Sequence, residues 1–137
     1  MSDLFLDANV VLDVLLRRTP FDAAALRLFQ LGDQGRVRLY VSAITFNNAY
    51  YIATRLQDKS RALRMMADLA GLVTITPVTE SVIQQALSSP FGDFEDAIPC
   101  FSALQNSAVQ CIVTRNKKDF TSSPLAVYSS DEVLALV

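Results

Sequence analysis

Four aspartates, Asp7, Asp93, Asp96 and Asp119, stand in the segments LFLDANVVLD, GDFEDA and TRNKKDF of this 137-residue chain, which contains no histidine. Without imidazole, the commonest general base and transition-metal ligand is missing, and so are Ser-His and Cys-His nucleophile pairs. Chemistry must then rest on carboxylates, amides and hydroxyls. Asp93 and Asp96 are three apart and share one face near a helix start, while Glu95 points elsewhere. Carboxylates gathered in one pocket raise each other's pKa and destabilise the fold unless a cation joins them. Hard oxygen ligands without His or Cys select Mg²⁺ or Mn²⁺ over Zn²⁺. Such an ion polarises a phosphoryl oxygen and acidifies a bound water, which suits phosphodiester hydrolysis.

Whether these acids meet depends on the elements that carry them. Residues 4–6 form a short buried strand ended by Asp7, and the apolar segment 10–16 follows as a central helix. Thr19 is expected to cap a second helix with Pro20 at its first position, running to about residue 31 and closed by Gly32 and Gly35. Residues 38–41 read as a strand, Ser42 as the cap of a helix reaching Leu56, and 60–70 as another helix stopped by Gly71 before a strand at 73–75. Thr79 caps a helix over 80–87, with Val78 and Ile83 as a hydrophobic staple, and Ser129 with Glu132 forms a capping box for a terminal helix. The runs 111–113 and 125–128 supply two more strands. The helix after Gly92 has two possible starts: from Asp93 it would hold Pro99 beyond its first turn, from near Asp96 it would not.

Short apolar strands alternating with helices give an α/β fold, a parallel sheet of about five strands covered on both faces as three α/β/α layers. Ligands of such sheets bind outside the carboxyl ends of the strands. Asp7 closes the first strand there, and the fourth delivers Thr114, Asn116 and Asp119 to the same edge. Residues 1–137 read as one domain, half of them apolar and 19% charged, which argues against disorder. Cys100 and Cys111 lie in apolar segments without metal-site spacing, so buried free thiols in a reducing cytoplasm are expected. No apolar run is long enough to span a membrane. A formal charge of −2 means that a nucleic-acid partner must be held by a local basic patch or a bound cation.

Plainer accounts compete with each motif. Asp93 and Asp96 can cap a helix and complement its dipole, Asp7 can be a turn residue, Asp119 a solvated loop acid, and Asp13 a structural partner of Arg17 at i+4. Arg115, Lys117 and Lys118 beside Asp119 can hold phosphates or simply be solvated. No basic stretch interleaved with aromatics for base stacking is visible. A phosphatase using Asp7 as nucleophile, in the manner of haloacid dehalogenases, would want an acid where Asn9 stands.

With LDANVVLD, VSAITFNNAYYIA, GDFEDAIPCFSA and IVTRNKKDF in order along nearly its full length, the chain resembles a PIN domain (PilT amino-terminal domain), of the kind found in VapC-like toxins. The resemblance implies a three-layer fold and an Mg²⁺- or Mn²⁺-dependent endoribonuclease, the toxin of a toxin–antitoxin pair, with RNA as substrate and a cognate antitoxin as partner, and it leaves a homodimer open. It makes Asp7, Asp96 and Asp119 the metal ligands, with Asp93 assisting and Asn9, Ser42 and Thr114 in support. Asn116 stands where many members have another Asp. Asn48, in line with Ile44 and Ile52 and so expected to face the site, stands where many have Glu on the helix after the second strand. An amide oxygen brings no charge, so metal affinity should fall; the alternatives are a buried amide satisfied by backbone and a degenerate domain that binds RNA or protein without catalysis.

Overall fold

The computed structural model describes all 137 residues. Its elements are β1 (Asp3–Leu6), α1 (Ala8–Leu15), α2 (Asp22–Asp33), β2 (Arg38–Ser42), α3 (Ala43–Leu56), α4 (Lys59–Leu72) and β3 (Thr74–Thr76). These are followed by α5 (Glu80–Leu87), α6 (Phe94–Ala103), β4 (Cys111–Val113), a 3-10 turn at Lys117–Phe120, β5 (Ala126–Tyr128) and α7 (Ser130–Leu134). Five strands pair in parallel in the order β3-β2-β1-β4-β5. The chain steps outward from β1 to β3 and then crosses back to β4, so the carboxyl ends of β1 and β4 border the point where the winding reverses.

Period-two alternation sorts the strand residues onto two cores. Leu4, Leu6, Leu39, Val41, Cys111 and Val113 pack with α1, α2, Leu69 of α4 and Val133 of α7. On the other face Phe5, Tyr40 and Ile112 meet Cys100 and Ala103 of α6 and Phe120 of the 3-10 turn. Ala97 and Ile98 of α6 then pack on Val82 and Ala86 of α5. Burying each large apolar side chain stabilises the fold by about 1.5–3 kcal/mol. Both cysteines are free and buried, and burial pushes both thiols up, Cys111 to about 11.

The helix ends follow the capping residues except at α2 and α4, and the open boundary of α6 is settled. Ser42, Thr79 and Ser129 cap as expected, Ser129 in a reciprocal box with Glu132. Val78 and Ile83 pack on the α5–α6 core. The helix after Thr19 starts later: the Thr19–Pro20 bond is cis, and α2 begins at Asp22 behind Phe21, without a side-chain cap. Asp58 caps α4 through Arg61 N (2.8 Å), because a carboxylate there satisfies a free first-turn amide, so the helix starts before Ser60 and runs through Gly71 to Leu72. β3 is accordingly one residue later than expected. Asp93 caps α6, so Pro99 does lie inside that helix and leaves the Glu95 carbonyl without its i+4 donor.

Two glycines make the local rules testable. Gly35 follows α2 at φ +74° in a Schellman closure, with Arg36 N donating to Leu31 O and Gly35 N to Gly32 O. Gly71 is exposed in α4, and an added Cβ would meet nothing within 4 Å at either position. Gly35→Ala should therefore destabilise by about 1 kcal/mol, because only the backbone conformation resists it. Gly71→Ala should stabilise by about 0.5–1 kcal/mol. Urea unfolding midpoints of the two variants moving in the same direction would contradict this assignment.

Candidate active site

Asp7 is the first residue beyond β1, where the extended backbone of the strand turns into α1. Its amide donates to Val113 O (2.9 Å), which ties it to β4. Its Oδ1 accepts from Ala8 N (2.8 Å) as the cap of α1, and its Oδ2 accepts from Thr114 Oγ1 (2.8 Å). Thr114 is wholly buried, and its hydroxyl oxygen accepts from Asn116 N (3.0 Å). Asp7 is only 8% exposed, and burial raises its pKa. The Thr114 and Ala8 bonds pull it back, Asp119 pushes it up and Arg115 lowers it.

The second acid arrives on α6. That helix is positioned by Ser102, which donates to Pro77 O (2.8 Å) and lies 2.7 Å from Thr76 Oγ1 beyond β3 and at its end, respectively. Asp96, half-buried in its first turn, is pushed up to about 6, first by burial and then by the charges of Asp93, Asp119, Asp7 and Glu95. Asp119 comes from the 3-10 turn, exposed, next to the buried Phe120 that anchors the turn in the core. Asp7, Asp96 and Asp119 line one cleft of about 930 Å³, with Asn9, Asn48 and Asn116.

The structure does not bring every expected residue to this cleft. Asp93 is exposed and spends an oxygen on Glu95 N (2.8 Å), whereas Glu95, expected to point away, lines the cleft. The cause is the helix boundary: Asp93 is the non-helical cap, so three-residue spacing does not align it with Asp96. Ser42 is buried and used by its cap, donating nothing to the cleft wall. Asn48 lines the cleft but is exposed, which rules out a buried, backbone-satisfied amide.

The loop cations are also redistributed. Arg115 donates through Nε and Nη2 to the buried Asp13 (2.8 and 2.9 Å) instead of projecting freely for phosphate. Asp13 cannot use Arg17, because α1 ends at Leu15 and Arg17 sits outside it at φ 52°. Lys117 pairs with Glu132 at 2.8 Å, and Lys118 is exposed without an ion pair. Tyr50, Tyr51 and Phe94 line the cleft from α3 and α6, with Tyr51 57% and Phe94 42% exposed. The Arg55 guanidinium lies 4.5 Å from the Tyr51 ring centre. These aromatics are far apart in the sequence, so no linear pattern reveals them.

No three carboxylate or thiol side chains stand close enough to share one metal ion. The donor set is nevertheless all oxygen, two of its carboxylates are held at raised pKa, and Mg²⁺ commonly rests on one or two carboxylates and keeps its waters. The residues present fit a water-rich divalent ion better than a closed protein cage.

A family model described as PIN domain matches residues 3–118. No curated protein matches this chain. Among solved structures, a toxin–antitoxin complex from Klebsiella pneumoniae is 20% identical, with a TM-score of 0.68 over 94% of this chain and 98% of that one. VapBC-1 from nontypeable Haemophilus influenzae is 21% identical, with a TM-score of 0.67 over 93% and 98%. Mycobacterium tuberculosis VapC20, a sarcin-ricin-loop-cleaving toxin, is 16% identical, with a TM-score of 0.60 over 80% and 87%. Matched over most of its length and carrying the three-layer fold of these proteins, the chain belongs to the PIN domain family.

Proposed function

We propose that this chain is a divalent-metal-dependent endoribonuclease that hydrolyses RNA phosphodiester bonds as the toxin of a toxin–antitoxin pair. The observation that carries this reading is the convergence of Asp7 and Asp96, from β1 and α6, on one cleft where both pKa values are raised. Carboxylates forced together, while the nearby Arg115 is engaged by Asp13, are a site prepared for an external cation. Membership of the PIN family and likeness to toxin structures support the same reading.

Asp7 and Asp96 would hold Mg²⁺ or Mn²⁺, with Asp119 on the exposed rim and the amide oxygens of Asn48 and Asn116 in the same cleft. When bound, the ion supplies positive charge at the phosphoryl oxygens and a more acidic water. Thr114 and Ala8 N–H fix the Asp7 carboxylate while leaving lone pairs on both oxygens. Lys118 is the loop cation free to meet a phosphate, and Phe94 and Tyr51 offer faces on which unpaired bases stack, each stack being worth about 1–3 kcal/mol. An open groove of mixed character, with Val14, Leu15, Leu16, Leu56 and Met65 beside Arg17, Gln57 and Asp68, offers an antitoxin segment a place to dock.

The exposed Asn48 favours a second reading, a PIN domain that binds RNA or protein without cutting. On the nuclease reading, Asp7→Asn and Asp96→Asn each lower cleavage at least a hundredfold while unfolding stays cooperative, and EDTA stops the parental protein. Parental-rate cutting by either variant would remove this site from consideration. Asn48→Glu should raise cleavage about tenfold by restoring a charge at the ion, whereas a binding module gains nothing from it.

Stability separates the readings without an activity assay. Asp96 has a folded pKa of about 6, above its ordinary 3.8, so its burden on the fold is absent below that ordinary value. It grows as pH rises and is complete above about 6. In chelator at pH 7.5, Asp96→Asn should therefore raise stability, by about 1 kcal/mol once solvent screening of this partly exposed carboxyl is allowed for. Mn²⁺ should raise the parental Tm at pH 7.5, do so much less at pH 5, and not raise that of Asp96→Asn. A parental Tm indifferent to Mn²⁺ would favour the binding module.

A further inference from the structure

Arg115 lies between Thr114, which holds Asp7, and Asn116, and four residues before Asp119. Asp13 sits two turns along α1 from Asp7. It is 1% exposed, yet its carboxylate accepts both Nε–H and Nη2–H of Arg115 at 2.8 and 2.9 Å. The guanidinium face is covered as well, 4.0 Å from the centre of the Phe21 ring at the start of α2. A two-pronged bond fixes both distance and plane, which a single ammonium contact does not. Buried ion pairs add little net stability relative to apolar neighbours of the same volume. The geometry they enforce is the feature an apolar pair would not supply.

We propose that Asp13 and Arg115 form a brace that sets the loop between β4 and the 3-10 turn against α1, making Arg115 a positioning residue for the carboxylate cleft and not a phosphate contact. The loop carries Thr114 and Asn116 and leads into the turn that holds Asp119, and Asp7 caps α1, so one ion pair ties together two of the elements that build the cleft. Arg115 also lowers the Asp7 pKa, in keeping with its proximity. The role in catalysis rests on the nuclease reading, but the brace itself does not.

The test uses the full chain with Asp13→Asn, Arg115→Met, Arg115→Lys and the Asp13→Asn/Arg115→Met double variant. In metal-free protein, amide hydrogen exchange of residues 116–120 should quicken at least tenfold in every variant, while residues 4–6 and 111–113 keep parental rates. In RNA cleavage at a temperature where each variant is folded, kcat should fall at least tenfold with KM within twofold of the parental value. Asp13→Asn removes a carboxylate too buried to touch RNA, so its matching Arg115→Met marks positioning, and the double variant should be no worse than either. Arg115→Lys keeps the charge opposite Asp13 and guards against misfolding of the others. Full rescue by Lys would reduce the role to charge and overturn the brace. Unchanged exchange at 116–120 would overturn it too, as would an Arg115→Met that raises KM tenfold beside a parental Asp13→Asn. A parental protein that cuts no RNA would instead defeat the nuclease reading, and the exchange rates would still decide the brace.

Discussion

Thr114 donates its hydroxyl proton to Asp7 across the seam between β1 and β4, and the cleft depends on that 2.8 Å bond. The two strands are neighbours only because the sheet reverses its winding there, and residues 107 positions apart become a donor and an acceptor. A carboxylate this deep would protonate or drift without fixed donors, since removing a charge from water costs several kcal/mol. Ala8 N–H and Thr114 Oγ–H supply two donors from different elements, so the Asp7 side chain is fixed before any ligand arrives. Asn116 N–H, in turn, fixes the Thr114 hydroxyl. The order of dependence runs from sheet topology to a hydroxyl to a carboxylate.

At α6 two effects oppose each other and their sizes decide the outcome. Asp96 lies in the first helical turn, where the positive end of the helix dipole favours an anion by about 0.3–1 kcal/mol, less than one pKa unit. Yet its pKa rises to about 6 from 3.8, so burial and four neighbouring acids outweigh the dipole. Helix capping alone would have produced an acid of ordinary or lowered pKa. Burial and crowding among acids at the cleft, and not the helix end, therefore govern Asp96, whereas Asp93 is exposed and caps the helix through Glu95 N–H.

What was legible in the sequence follows from the range of the interactions. Strands and most helix ends were readable because alternation and caps act over a few residues, as Ser42, Thr79 and the Ser129–Glu132 box demonstrate. Convergence of Asp7 and Asp119 was readable because parallel strands send their carboxyl ends to one edge, whereas Asp96, on a helix that follows another helix, was placed with them by the family resemblance. One-residue offsets defeated finer readings. Asp93 as cap, and not as first helical residue, exchanged its place on the wall with Glu95. Long-range pairings were out of reach altogether: Arg115 reads as a free loop cation until folding sets it against an acid 102 residues away. The aromatic rim of Tyr51 and Phe94 is invisible for the same reason.

The same redistribution of charge bears on how a polyanion would enter. Of the three cations beside Asp119, Arg115 is bound to Asp13 and Lys117 to Glu132, and the whole chain carries a formal charge of −2. A cleft lined by Asp7, Glu95, Asp96 and Asp119 repels phosphate at the position where cleavage would occur. Aromatic stacking on the rim is indifferent to charge and can hold a base, but it does not bring phosphorus to the acids. On the proposed nuclease reading, the divalent ion must therefore serve binding as well as chemistry: each of ion and RNA lowers the electrostatic work of admitting the other. By linkage, their affinities rise together by a common factor.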